Sequence, residues 1–335
     1  MRPVRRTLLA SVGVFALAVA LAASAASAAA RPTTGVVVIE TALGYQNTSA
    51  AGTGVVLRSN GEVLTNNHVI RGATRIRVLD PGTGRRYTAR VLGYSVTADV
   101  ALLRLQQASG LASVSLGSST GLRRGQTVTA VGNAGGTRTL VTTRGTITGV
   151  GRTITVHDEH GNAQQLTGLI QTNTELQPGD SGGPLLDDGG RVIGIDTAAS
   201  TGFAFRSGSN EGYAVPINRA LLVTRQVRSG RGTATIHVGP TAFLGVAVHP
   251  AGYYRDGYVP GALVDDVVSG GPADRAGIAP GDIITSIDGT RVTTPSAVAR
   301  LILRKKPGDT IKLTWVDGFG NRSSATVRLS TGPPQ

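Results

Sequence analysis

The chain has 335 residues and no cysteine, a single Met, a single Trp and only 4% aromatics. Zero cysteine excludes a disulfide framework, a thiolate metal site, a cysteine nucleophile and a lipidated N-terminal Cys. With so few aromatics, the cores must be built from Val, Ile, Leu and Ala. The 47 glycines point to many tight turns and lean the composition toward β structure. Charge is also sparse at 16%, but 40% of residues are hydrophobic, which excludes a disordered or fibrous protein. Acid is the scarcer sign: 33 basic against 20 acidic residues give a formal charge of +13. The Arg pairs at 85–86 and 123–124 and the run Arg304-Lys305-Lys306 are dispersed and carry no interleaved aromatics. No nucleic-acid surface is therefore expected, and attraction to an acidic cell envelope or to acidic unfolded substrates fits the charge better.

Long hydrophobic runs are confined to the N-terminus. Arg2, Arg5 and Arg6 precede an apolar stretch at 8–21 and small residues at 24–30, the layout of an export signal. The alternative is an uncleaved membrane anchor, since residues 7–30 are long enough to cross about 30 Å at about 1.5 Å per residue. Either reading predicts an exported protein, secreted or held in the cell envelope. Without cysteine it must be stable there on packing alone.

Beyond residue 34, short apolar runs alternate with Gly, Asn, Asp and Thr. Strands are expected at 35–39, 54–57, 63–65, 75–79, 90–92, 100–105, 126–131, 139–150, 166–171, 192–196 and 212–215. Ser59-Asn60-Gly61 closes a hairpin between the second and third of these. Such strand density predicts a sandwich or barrel. The first convincing helix is 216–227, followed by Arg-Ser-Gly-Arg-Gly. At about 150 residues per domain the length allows two domains, here read as 31–228 and 236–330 with a linker at 229–235. The second carries a short Gly-ended helix at 271–277 and an amphipathic helix at 295–304 with Val298, Leu301 and Ile302 inward, and reads as a compact α+β module.

The strongest local signal is Pro178-Gly179-Asp180-Ser181-Gly182-Gly183-Pro184. A nucleophilic Ser needs its hydroxyl on a turn where backbone N–H groups converge on the carbonyl oxygen under attack. Glycines allow the dihedrals that aim those amides. The loop Gly179-Asp180-Ser181 would form the oxyanion hole, chiefly through the amides of Gly179 and Ser181. Ser also needs a base, and the base an orienting carboxylate. His68 follows directly on a hairpin strand, and Asp99 sits at the mouth of the apolar run Val100-Ala101-Leu102-Leu103, where it must find a donor such as an imidazole N–H. Alone, each could be a capping Asp or a His satisfied by backbone. The chain order His, Asp, Ser is the chymotrypsin order.

At Thr65-Asn66-Asn67-His68-Val69-Ile70, Asp99-Val100-Ala101-Leu102-Leu103 and Gln171-Thr172-Asn173 leading into 178–184, the chain resembles the HtrA (high-temperature-requirement) family of exported trypsin-like serine proteases with PDZ domains. The resemblance spans about 35–330. It implies a mostly β fold, a chymotrypsin-like double β-barrel of two six-stranded barrels followed by an α+β PDZ domain. It also implies His68 as general base and acid, Asp99 as orienter and Ser181 as nucleophile. One position departs from the family: Asp180 stands where Asn is usual. No zymogen activation site is evident, so Asp180 is expected to pair with a local Arg or a backbone N–H. Glu175 lies six residues before Ser181, where trypsin-like enzymes hold the charge that binds basic P1 side chains. That spacing offers a preference for Arg or Lys, against an exposed Glu beside the small apolar pocket that suits the Val, Ala or Leu favoured by HtrA relatives.

Phe243-Leu244-Gly245-Val246 matches the PDZ carboxylate-binding loop, whose amides cradle a peptide C-terminus while a strand is added alongside. Gly277-Ile278-Ala279-Pro280-Gly281-Asp282-Ile283-Ile284 and Ile287-Asp288-Gly289 match the middle of that module. The helix from Pro295 would close the groove, with Val298 and Leu301 or Ile302 lining it or facing the core. His157-Asp158-Glu159-His160 gathers metal-ligand types, but its Gly161-Asn162 neighbours read as a polar hairpin tip, so no metal and no cofactor is expected. The expected protein is an exported serine endopeptidase acting on polypeptides, chiefly unfolded ones, in envelope quality control, with C-terminal peptides as PDZ partners. The rival is a PDZ-dependent peptide-binding chaperone or adaptor with dormant proteolysis. HtrA relatives often trimerise through N-terminal aromatics, and residues 31–53 offer only Tyr45 for a homo-oligomer.

Overall fold

The computed structural model describes residues 31–157, 163–197, 211–251, 253–254 and 257–335. The leader at 1–30 and the polar tip at 158–160 lie outside the described residues. Strands β1 (Val36–Leu43), β2 (Thr48–Arg58) and β3 (Glu62–Thr65) lead into a four-residue helix α1 (Asn67–Ile70). Strands β4 (Arg75–Asp80), β5 (Arg85–Ser95) and β6 (Val100–Leu105) follow. The order β5-β4-β1-β2-β3-β6 is closed into a first barrel by pairing of β5 with β6. Alternation sets the faces: Ile76 and Val78 point inward while Arg75 and Arg77 point out.

The second barrel comprises β7 (Thr127–Gly132), β8 (Val141–His157), β9 (Ala163–Thr172), β10 (Pro184–Leu186), β11 (Val192–Asp196) and β12 (Gly212–Pro216), closed in the order β10-β11-β12-β9-β8-β7. β10 was not anticipated, because three residues are too few to show a period. Helix α2 (Ile217–Arg228) buries Ile217, Ala220, Val223 and Val227 in a cluster that joins Val36 and Leu102 of the first barrel to Ile195 and Val215 of the second. Its last turn is clasped to β3: the buried Glu62 carboxylate takes Arg228 at 2.5 Å and Arg104 at 2.7 Å.

Although 236–330 was expected to form the C-terminal module alone, β13 (His237–Val238) pairs with Tyr94 and Gly93 of β5 and extends the first barrel's sheet. The α+β module then runs through β14 (Thr241–Phe243), β15 (Val246–Pro250), β16 (Tyr253–Tyr254), β17 (Gly257–Tyr258), β18 (Ala262–Val267), α3 (Pro272–Arg275), β19 (Ile283–Ile287), β20 (Thr290–Arg291), α4 (Pro295–Ile302), β21 (Thr310–Val316), β22 (Arg322–Arg328) and β23 (Ser330–Gly332). Its main sheet has the order β15-β18-β19-β21-β22, and a separate core gathers Val264, Ile284, Val298, Leu313 and Trp315. The fold is thus mostly β, two barrels and an α+β module, as the resemblance implied.

Contacts between the units are specific. Tyr45 stacks on Phe243 at 5.2 Å between ring centroids. The segment after β23 crosses to the first barrel, where the Gly72 N–H donates to Pro334 O at 2.8 Å and Asn67 Nδ2 to Gln335 O at 2.9 Å. No helix among the described residues is long and apolar enough to cross a membrane.

Candidate active site

His68 is carried by α1, one turn of helix entered from β3 through the extended residue Asn66. Asp99 occupies the left-handed region at φ 52° immediately before β6. Asp tolerates that conformation better than most side chains, which lets the chain turn its carboxylate back toward α1. One oxygen accepts the His68 backbone N–H at 3.0 Å, and the other lies 2.8 Å from His68 Nδ1. The second oxygen also accepts the Thr197 hydroxyl at 2.9 Å, and Asn66 Nδ2 donates to the Asp99 carbonyl at 2.9 Å. The His68 and Asp99 side chains are only 4% and 5% exposed. Burial alone pushes the Asp99 carboxyl up. The His68 charge and the hydrogen bonds from His68 and Thr197 outweigh it and hold the carboxyl below its ordinary range. With an acceptor fixed on Nδ1, the neutral imidazole keeps its proton there and leaves Nε2 basic.

The Ser181 loop is pressed onto β2 from the opposite barrel. Thr53 N–H donates to Ser181 O at 2.8 Å and the Thr53 hydroxyl donates to Gly179 O at 2.7 Å. The same hydroxyl accepts from Asn133 N–H at 2.9 Å. Gly52 sits between the two catalytic candidates' neighbourhoods: a Cβ there would lie 2.6 Å from Val69 Cγ1 and 3.2 Å from Ser181 O. The glycines are sterically required. A Cβ on Gly179 would meet Asn133 O at 2.2 Å, and one on Gly183 would meet Val131 O at 2.1 Å. Gly179 (φ 101°) and Gly182 (φ 87°) are also left-handed. The Asp180 N–H donates to Gln177 O at 3.0 Å. The Asp180 amide is thus already paired, against its expected place among the oxyanion donors.

Among the described residues the Asp180 carboxylate meets no Arg; one oxygen accepts the Gln177 N–H at 2.8 Å and the other has no hydrogen-bond partner there. It lies against Gly132 of β7, where a Cβ would come within 2.3 Å of Oδ1. A second carboxylate, Asp196 at the end of β11, is buried beneath the same loop, with one oxygen that has no hydrogen-bond partner among the described residues. Its backbone pairs with that loop, Gly182 N–H to Asp196 O and Asp196 N–H to Gly183 O, both at 2.8 Å. Burial pushes the Asp180 carboxyl up against the Gln177 hydrogen bond, and burial together with the Asp180 charge pushes Asp196 well above the carboxylate range. Folded-state values above the unfolded one mean that this stability is fully present below the unfolded carboxyl pKa. It is lost as pH rises through the folded-state values. Asp196→Asn is therefore expected to stabilise the protein by about 1–3 kcal/mol near about pH 8 and to leave it unchanged near about pH 4. Thermal denaturation at the two pH values checks this, and an equal shift at both would refute it.

Comparison with known proteins gives this geometry its context. A trypsin-like peptidase domain matches residues 52–195 and a PDZ domain residues 263–317. The chain is 32% identical to HhoA of Synechocystis sp. over 83% of its own length and 70% of that protein. It is 34% identical to the serine protease PepD of Mycobacterium tuberculosis over 91% of its own length and 65% of PepD. The chain belongs to the HtrA family of trypsin-like serine proteases. Among solved structures, the HtrA-type protease AlgW with a tripeptide aligns over 90% of this chain and 95% of that one, at 29% identity and a TM-score of 0.50. Of several relatives the chain spans less than two thirds, 56% in the case of a Halomonas elongata protein named "Probable periplasmic serine endoprotease DegP-like".

Within this HtrA-family chain the remaining candidates fall as follows. Glu175 is exposed on the approach to the Ser181 loop. In the PDZ loop, Leu244 is buried, Gly245 is left-handed at φ 84°, and Phe243 stacks on Tyr45. The Leu244 and Gly245 carbonyls accept from Ala273 and Val268 at 3.0 and 2.9 Å, which fixes the loop to α3 and its approach. Val298 and Ile302 belong to the module's core, with Leu301 packed against it. The groove side of α4 is instead formed by Ser296, Ala299 and the following Leu303. No group of three or more metal-ligating side chains occurs among the described residues. Sequence reasoning missed Thr53, Asp196 and Thr197. The one available signal was Asp196-Thr197, two polar residues ending an apolar strand.

Proposed function

We propose that the chain is a serine endopeptidase. Ser181 Oγ attacks the scissile carbonyl while His68 Nε2 takes its proton. The amides of Gly179 and Ser181 hold the oxyanion, a stabilisation worth about 3–4 kcal/mol per donor. His68 returns the proton to the leaving amine, and water hydrolyses the acyl-enzyme by the same route. Asp99 holds the imidazole in the Nδ1–H tautomer. The observation that carries this reading is the buried 2.8 Å contact between His68 Nδ1 and Asp99, with Thr197 as second donor to the same oxygen.

Unfolded polypeptides are the expected substrates, and C-terminal peptides the expected ligands of the PDZ loop. The basic, apolar leader and the periplasmic name of the Halomonas elongata relative support export to the cell envelope. The deciding experiment is labelling by a fluorophosphonate probe. The wild-type chain is expected to label and Ser181→Ala not to; absence of Ser181-dependent labelling with peptide binding retained would instead make the protein a PDZ-based chaperone or adaptor. Exposed Glu175 is poorly placed to bind a desolvated cation, so peptides with Val at P1 are expected to be cleaved faster than those with Arg. Comparing kcat/KM for the two peptides checks this, and faster cleavage after Arg would restore Glu175 to the pocket.

A further inference from the structure

A cavity of about 560 Å³ lies between the PDZ module and the first barrel. One wall is β15, through Val246, Ala247 and Val248, together with the groove side of α4. The facing wall is Tyr94, Val96 and Thr97, the segment that runs into Asp99. β15 is an edge strand, paired with β18 on one side only. Its other edge therefore offers backbone donors and acceptors to an added extended chain.

The ionisable side chains on these walls are of the basic residue types. Arg71, Arg300, Arg304 and His237 line the cavity, with no Asp or Glu side chain among the described residues, and Gln335 reaches it as well. Arg300 lies in the last turn of α4 and Arg304 in the turn that follows it. Asp288 is engaged with Lys305 at 2.6 Å. Neither Arg300 nor Arg304 forms an ion pair among the described residues.

We propose that this interdomain cavity selects acidic peptides: an extended ligand pairs with β15 and sets carboxylate side chains upstream of its C-terminus against Arg300 and Arg304. The inference rests on the PDZ module binding peptide C-termini and adds which ones. Guanidinium groups suit this role because they hold carboxylates bidentately while remaining charged.

The test uses full-length Ser181→Ala protein, so that probes are not cleaved, and fluorescence polarisation with three fluorescein-labelled octapeptides ending in Val. They carry Glu, Gln or Lys at the upstream positions. The Glu peptide is expected to bind about tenfold tighter than the Gln peptide and the Lys peptide weakest. Arg300→Glu with Arg304→Glu inverts the order, Arg300→Gln with Arg304→Gln abolishes it, and Arg123→Glu with Arg124→Glu on the remote barrel leaves it intact. Equal binding of all three peptides, an order unchanged by the Arg300 and Arg304 substitutions, or one equally changed by the remote pair would overturn the acidic selectivity while peptide recognition stands. Binding of none would overturn both.

Discussion

Replacing Ser181 by Ala is expected to lower kcat about 10⁶-fold, and replacing Asp99 by Asn about 10⁴-fold, each with little change in KM. The second figure follows from the tautomer. The Asp99 oxygen 2.8 Å from His68 Nδ1 can only accept, so the ring proton stays on Nδ1. An Asn side chain can turn its NH₂ to that nitrogen, because the Thr197 hydroxyl and the His68 N–H compete for its single oxygen. The proton then moves to Nε2, and the base that must deprotonate Ser181 is lost. Steady-state kinetics on a chromogenic peptide, with unchanged circular dichroism, measures both effects. An Asp99→Asn enzyme retaining a tenth of the activity would show that Asp99 does not orient the imidazole.

Gly182→Ala is expected to be among the most damaging single-methyl changes available, destabilising the protein by more than about 4 kcal/mol and removing probe labelling. Its Cβ would stand 2.0 Å from Thr53 O and 2.2 Å from Thr65 Oγ1. Neither atom is free to retreat: the Thr65 hydroxyl donates to Thr53 O at 2.7 Å, and both residues belong to the paired strands β2 and β3. The left-handed φ of 87° adds its own strain. Gly110→Ala isolates that part, since Gly110 is also left-handed at φ 68° but has no atom within 4 Å of its would-be Cβ. It is expected to cost about 1–2 kcal/mol and to keep labelling. Thermal denaturation of the two variants separates clash from strain, and equal shifts in Tm would contradict the close approach of the Ser181 loop to β2.

Legibility divided by the range of the interactions involved. Most strands were visible because alternation is local, and β10 was not because it is short. Helix α4 showed its amphipathic pattern, but periodicity cannot say which neighbour covers which side. Val298 was weighed for the groove and proved to be core, while Ala299 and Leu303 face the cavity. Asp180 was legible as an unusual residue that would meet a backbone N–H or an Arg, but its buried neighbour Asp196 was not.

By itself the sequence determined that this is a cysteine-free, β-rich protein whose cores rest on aliphatic packing. It also determined that a Gly-framed Ser, a His after a hairpin strand and an Asp before an apolar strand stand in chymotrypsin order. These are statements about composition and short spacings, and short spacings are what local backbone preferences encode. Only the tertiary structure decided that Thr197 completes the hydrogen bonds of Asp99 across 98 positions, and that Thr53 braces Gly179 across 126. It likewise decided that two carboxylates share the space beneath the Ser181 loop, and that an Arg-lined cavity opens between the domains. Burial and charge at such places are set by residues far apart in the chain, so they exist only once the barrels have closed and the PDZ module has docked.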